Sequence, residues 1–134
     1  MRMRSWRAGV LAAVIPALAG GCILAAAGAG AGGAVYVSDR GAESVVSASV
    51  ARTQAAARQT FGELGIKETK ASTEESGSGQ KLGLWGEGDD REVTIWMETQ
   101  SNSTKVSVVA QKSRVTWDKD MAKRILERIV ELSK

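Results

Sequence analysis

The sequence predicts an α+β fold: an antiparallel sheet with two helices packed on one face, preceded by a signal peptide and a flexible tether. Three observations carry that expectation. Lys81–Gly86, Glu92–Thr99 and Thr104–Gln111 each alternate apolar and polar residues with period two, as half-buried strands do. Two stretches, Ser49 to about Leu64 and Lys119 to about Leu132, place apolar residues at helical spacing. The first third has neither pattern and is almost free of charge after Arg7. With 134 residues the chain allows one domain, and a hydrophobic content of 43% is ordinary for a folded one. It has no His and one Cys. That excludes a serine triad, a Cys–His pair, a His-ligated or thiolate-cluster metal site and an internal disulfide.

Residues 1–21 read as a lipoprotein signal peptide. Arg2, Arg4 and Arg7 open the chain, and Ala8–Leu18 is apolar apart from Gly9 and Pro16. Leu18-Ala19-Gly20-Gly21-Cys22 follows. A basic start, a short apolar run and small residues before a cleavage point mark a secretory leader. A Cys directly after them looks like a bacterial lipobox, in which the thiol is acylated and the chain is cut before the Cys. The usual Leu three residues before the Cys is Ala19 here, with Leu18 one step further back. The rival is an uncleaved membrane helix. The uncharged run Ala8–Ser38 spans 31 residues, beyond the roughly 20 needed to cross a bilayer. Against it, residues 25–34 are nearly all Ala and Gly, which make a poor helix and a poorly lipophilic one. Either way the arginines stay inside and the rest faces the periplasm.

Residues 22–33 then form the lipidated Cys22 and a Gly/Ala-rich tether. Gly28 and Gly32 also have the small-xxx-small spacing of a glycine zipper, and both readings stay open. Three acyl chains on Cys22, at about 0.8 kcal/mol per buried methylene, would hold the protein firmly at the cell membrane. Ile23 rather than Asp after the Cys favours the outer membrane by the sorting habit of enteric bacteria.

Residues 34–134 are the expected periplasmic domain. Ala34–Ser38 and Glu43–Ala48 read as strands around an Asp39-Arg40-Gly41 turn. Ser49 caps a helix to about Leu64, with Val50, Ala57, Phe61 and Leu64 on one face and Gly65 as its stop. Ile66–Ser72 reads as a strand and Thr73–Gly79 as a loop by composition. Two-residue turns at Asp89-Asp90 and Ser101-Asn102 then set one register. Leu84 faces Ile95, Leu82 faces Met97, Met97 faces Val106, Ile95 faces Val108 and Val93 faces Ala110. Trp96 covers Gly83, and Glu98 meets Lys105 across the strands. Two independent turns agree on one inner face, and a one-residue slip would turn every side chain over. Asp118 caps the last helix, whose stripe is Met121, Ala122, Ile125, Leu126, Ile129 and Leu132.

Trp85, Trp96, Thr94, Ser107 and Val109 fall on the outer face. They are read either as cross-strand packing or as a contact surface for an envelope protein or a second copy, with Trp85, Trp96 and Val109 at its centre. Other strings carry less. Ser78-Gly79-Gln80-Lys81 matches Ser-x-x-Lys, but that chemistry needs the Ser at a helix start, and this string enters a strand. Glu87-Gly88-Asp89-Asp90 lacks calcium-loop spacing and reads as a solvated turn. Asn102-Ser103-Thr104 is a sequon idle in most bacteria. Gly28–Gly32 is no nucleotide loop, since no strand precedes it. Asp118 and Asp120 read as cap and dipole partners. No catalytic residue, cofactor or metal is expected.

The arrangement resembles a family of small bacterial lipoproteins defined only as a domain of unknown function. The residues that carry the resemblance are Cys22, the Gly/Ala run 25–34, Tyr36, Leu64-Gly65, strands within 81–111, and Asp118 with Ile125 and Ile129. Where that family often has Gly-Asp before the last helix, this chain has Trp117-Asp118. The resemblance covers nearly the whole chain. It implies an envelope lipoprotein with no assigned activity and no catalytic residues to carry over.

Charge completes the reading. The net charge is +3, from 18 basic and 15 acidic residues. Arg2, Arg4 and Arg7 all lie in the leader, so its removal leaves 15 against 15. The basic balance then orients the leader and gives no reason to expect a nucleic-acid partner.

Overall fold

The computed structural model describes residues 34–77 and 79–134. Within them the expected α+β architecture is present. In chain order the elements are β1 (Tyr36–Val37), β2 (Gly41–Val46), α1 (Val50–Leu64), β3 (Lys67–Ser76), β4 (Gly79–Gly88), β5 (Arg91–Gln100), β6 (Ser103–Ser113), β7 (Thr116–Trp117) and α2 (Lys119–Leu132). The strands form one antiparallel sheet in the order β1-β2-β6-β5-β4-β3, with β7 also pairing with β6.

The central hairpins have the predicted register. Leu82 pairs with Met97, Gly83 with Trp96 and Leu84 with Ile95. Val93 pairs with Ala110, Ile95 with Val108, Met97 with Val106 and Glu98 with Lys105. Both turns lie where the sequence puts them. Asp89 and Asp90 take φ of 51° and 56°, the left-handed pair that a type I′ turn requires, and Ser101 takes 49°. Positive φ at non-glycine residues is unfavourable in isolation, so the strand pairing holds these turns in place.

One face of the sheet forms the core. Leu82, Leu84, Val93, Ile95, Met97, Val106, Val108 and Ala110 are at most 6% exposed. The two helices close over them. α1 contributes Val50, Ala57 and Phe61, and α2 contributes Met121, Ala122, Ile125, Leu126 and Ile129. Thr53 and Thr60 are also buried in α1 and donate their hydroxyls to the carbonyls of Ser49 and Ala56, both at 2.8 Å. A buried hydroxyl without a partner would be costly, and this back-bonding removes the cost. The helices are tied together by Arg128, which donates to both carboxylate oxygens of Glu63 at 2.6 and 2.9 Å. Among the described residues no helix is long and apolar enough to cross a membrane.

Helix ends follow the local chemistry. The Ser49 hydroxyl accepts from the Arg52 amide at 3.2 Å. Gly65 ends α1 at φ 68°, the left-handed geometry that favours glycine. The Asp118 carboxylate accepts from the Met121 amide at 3.0 Å.

Three expectations are corrected, and one element is new. Thr73–Gly79 is not a loop: β3 runs through Ser76, because Thr73, Glu74 and Glu75 pair with Leu82, Lys81 and Gln80. A Ser/Glu/Thr composition that signals a loop locally is overridden by an available partner strand. β2 runs Gly41–Val46 rather than Glu43–Ala48, since Gly41 already pairs with Val109. Leu64, placed on the buried face of α1, is 42% exposed at the last turn of the helix. Finally, Thr116–Trp117 forms a short seventh strand against β6.

Candidate functional site

The outer face of the sheet is built in rows that run across the strands. Pairing places Lys70, Trp85, Thr94, Val109 and Gly41 in one row, from β3 to β2. The next row is Ser72, Gly83, Trp96, Ser107, Glu43 and Tyr36. A third is Glu74, Lys81, Glu98 and Lys105, which alternates in charge. Trp85, Trp96 and Val109, the three residues expected at the centre of a contact surface, therefore share this face. All three are half-buried.

Gly83 organises the two tryptophans. A methyl group there would lie 2.5 Å from the Trp85 ring and 2.8 Å from the Trp96 ring. Both indoles lean over the space that the missing side chain leaves. They meet edge to face, with centroids 5.1 Å apart and planes at 81°, the arrangement that aligns one ring's positive edge with the other's negative face. Each ring also carries a cation: the Lys70 Nζ lies 4.7 Å from the Trp85 centroid and the Lys81 Nζ 4.7 Å from that of Trp96. Lys70 is directly opposite Trp85. Lys81 reaches Trp96 on the diagonal because Gly83, between them, has no side chain to block it. A shallow cleft of about 210 Å³ opens beside this cluster, lined by Lys81, Trp96, Glu98, Lys105 and Ser107.

The sequence does not announce either lysine as a cover for a tryptophan. Locating Lys70 needs the register of β3, which shifts between Glu68 and Lys70, and no local pattern announces that bulge. Tyr36 was also missed as a member of the face. It is 50% exposed and stands opposite Glu43, whose carboxylate accepts from the Ser107 hydroxyl at 3.3 Å. Trp117 is the third tryptophan of the domain, but it sits at the end of the sheet, with the Arg40 guanidinium carbon 5.4 Å from its centroid.

The remaining motifs have local structural roles. Asp118 joins two elements: it caps α2 and also accepts from Arg91 Nε of β5 at 3.0 Å. The Met121 amide, and then Arg91, hold its carboxyl below the ordinary range. Glu63 is likewise lowered, chiefly by the hydrogen bonds from Arg128. The perturbed groups thus belong to a helix cap and to an ion pair between helices. Asp89 and Asp90 form the β4–β5 turn. A wider hollow of about 670 Å³ beside that turn is lined by charged residues of both signs, among them Glu87, Arg91, Glu92 and Arg114. Lys81 of the Ser-x-x-Lys string lies on β4 with its ammonium over Trp96. Ser78, Cys22 and the rest of residues 1–33, where the signal peptide, the tether and the Gly28/Gly32 pair are expected, lie outside the described residues. Among the described residues no three His, Cys, Asp or Glu side chains converge to hold a metal ion.

No protein-family model matches the chain, and no curated protein matches it.

Proposed function

We propose that this protein is a lipid-anchored component of the bacterial cell envelope whose periplasmic domain acts by binding or as a structural element, without catalysis. The observation that carries the proposal is Cys22 directly after Leu18-Ala19-Gly20-Gly21, behind three arginines and an apolar run. Acylation of that thiol supplies the anchor, and residues 23–33 supply a tether to the domain. The outer membrane is the favoured site because Ile23 follows the Cys. The balance of 15 basic against 15 acidic residues after the leader supports an anchor made by lipid and not by surface charge. The face around Trp85, Trp96 and Val109 is the proposed contact surface for an envelope protein. Its polar rim and paired indoles are the composition of an interface and not of an active site.

Intact mass of the mature protein tests the anchor. A chain beginning at Cys22 and carrying the mass of three acyl groups is the expected result. Globomycin should leave the precursor uncut, and Cys22→Ala should release or misprocess the protein. An unacylated, full-length, membrane-retained chain would overturn the proposal in favour of a single-span subunit, the reading that the 31-residue uncharged run Ala8–Ser38 supports.

A further inference from the structure

We propose that β3 is a self-association edge, through which two copies of this chain join their sheets antiparallel about a two-fold axis at Ser72. β3 is the terminal strand of the sheet and has ten residues. Among the described residues nothing pairs with its outer side. Such an edge offers a row of unpaired amides and carbonyls to another strand. Natural edges are blunted by brevity, proline, bulges or charge. β3 is long and has no proline, and its register shift lies near its start, between Glu68 and Lys70, leaving Lys70–Ser76 in regular pairing with β4. Only its charges could act as a guard. They are of both signs, and two of them, Lys70 and Glu74, lie at equal distance on either side of Ser72.

The spacing selects one register. A two-fold axis normal to the sheet keeps like faces together, so outward residues meet outward residues. Centring the pair on Lys70 or on Glu74 sets like charges directly opposite. Centring on Ala71 or Thr73 pairs neither Lys70 nor Glu74 with an opposite charge. Centring on Ser72 sets Lys70 opposite Glu74 of the second copy, and the symmetry makes this contact twice. Lys70 and Glu74 both lie on the outer face, opposite Trp85 and Lys81 respectively. Both are exposed, and neither is in an ion pair among the described residues. The alternating row Lys105, Glu98, Lys81 and Glu74 would then continue into Lys70 of the second copy, with no like charges adjacent.

The pairing does not depend on the lipid anchor. It is tested by sedimentation of the full-length chain in a nonionic detergent, over a concentration series. The wild type should associate to a dimer. Lys70→Glu and Glu74→Lys each turn two attractive cross-strand contacts into repulsive ones, and each should weaken the dimer by about tenfold or more. The double variant, Lys70→Glu with Glu74→Lys, restores opposite charges at both contacts and should restore association. Near-ultraviolet circular dichroism checks that each variant is folded. Separately, Ser72→Cys should oxidise to a disulfide between two copies of that position, identified by peptide mass spectrometry. Ala71→Cys, off the axis, should not. A wild type that stays monomeric, single reversals that associate as well as wild type, or a double variant that does not recover would each overturn the proposal.

Discussion

The two faces of the sheet are built from the same strands but held in different ways. Ile95 and Trp96 are neighbours in β5. Ile95 is fully buried beneath the helices, whereas Trp96 is half-buried and held by Trp85, Lys81 and the space above Gly83. The inner face is closed from both sides, so its side chains have no room to move. The outer face is closed by its own residues, which can tilt toward solvent. The difference teaches that stability belongs to the inner face, while the outer face is free to be specialised without endangering the fold.

The sharpest way to break that contrast is to truncate a residue on each side. Ile95→Ala removes a side chain with no solvent exposure, and both sheet and helices resist collapse into the space. A loss of about 2–5 kcal/mol is expected, read from the urea midpoint. A loss below about 1 kcal/mol would show that the helices do not seal this face as tightly as the burial indicates.

On the outer side, Gly83→Ala is the most informative change. Its methyl would meet the far ends of two indoles at 2.5 and 2.8 Å. These rings are half-exposed and can move outward, so the expected cost is about 1–2 kcal/mol, less than an overpacked interior would impose. Near-ultraviolet circular dichroism should change as the edge-to-face pair opens. An unchanged spectrum would mean that the indoles are not locked over Gly83.

The same contrast explains what could be read from the sequence. The inner face announces itself through alternation, because burial on one side makes every second residue apolar. Two turns fix the register, so the pairing of Leu82, Leu84, Ile95 and Val108 is legible in the sequence. The outer face has no such constraint. Trp96 over Gly83 was legible because a strand glycine opposite an aromatic has a mechanism. The two lysine caps were not, since Lys70 depends on a bulge in β3 and on a strand tail that looks like a loop. β7 was missed for a related reason. Two residues are too few to show a period, and Trp117 reads as part of the approach to the Asp118 cap. Of the candidate site, the tryptophans were therefore visible and the cations that cover them were not.

Asp118 lies at the end of the sheet, where Arg91 of β5 meets the first turn of α2, and it separates charge from capping. Asp118→Ala removes the cap and should cost about 0.5–2 kcal/mol. Asp118→Asn keeps a capping oxygen and loses only the charge. The folded carboxyl titrates below its unfolded value of about 3.9. Its charge therefore stabilises the fold above that value, and the contribution is lost as pH falls through the folded pKa. The gap in stability between wild type and Asp118→Asn should thus be present at neutral pH and close under strongly acidic conditions. A gap independent of pH would assign the role of Asp118 to geometry alone.

The smallest expected effect decides what the outer face is for. Lys81→Ala removes the cation over Trp96. If the ammonium only shields the ring, the loss should be about 0.5–1 kcal/mol, and Trp85→Phe, which disturbs the neighbouring ring, should change that loss little. A double-mutant cycle between the two positions measures this directly. Coupling near zero means that each cap acts on its own ring, and the cluster is a pair of independent covers. Coupling comparable to the cap itself would mean that the two indoles and their lysines move as one unit. In that case a partner that displaced Lys81 from Trp96 would also reorient Trp85, and the face would respond to contact as a whole.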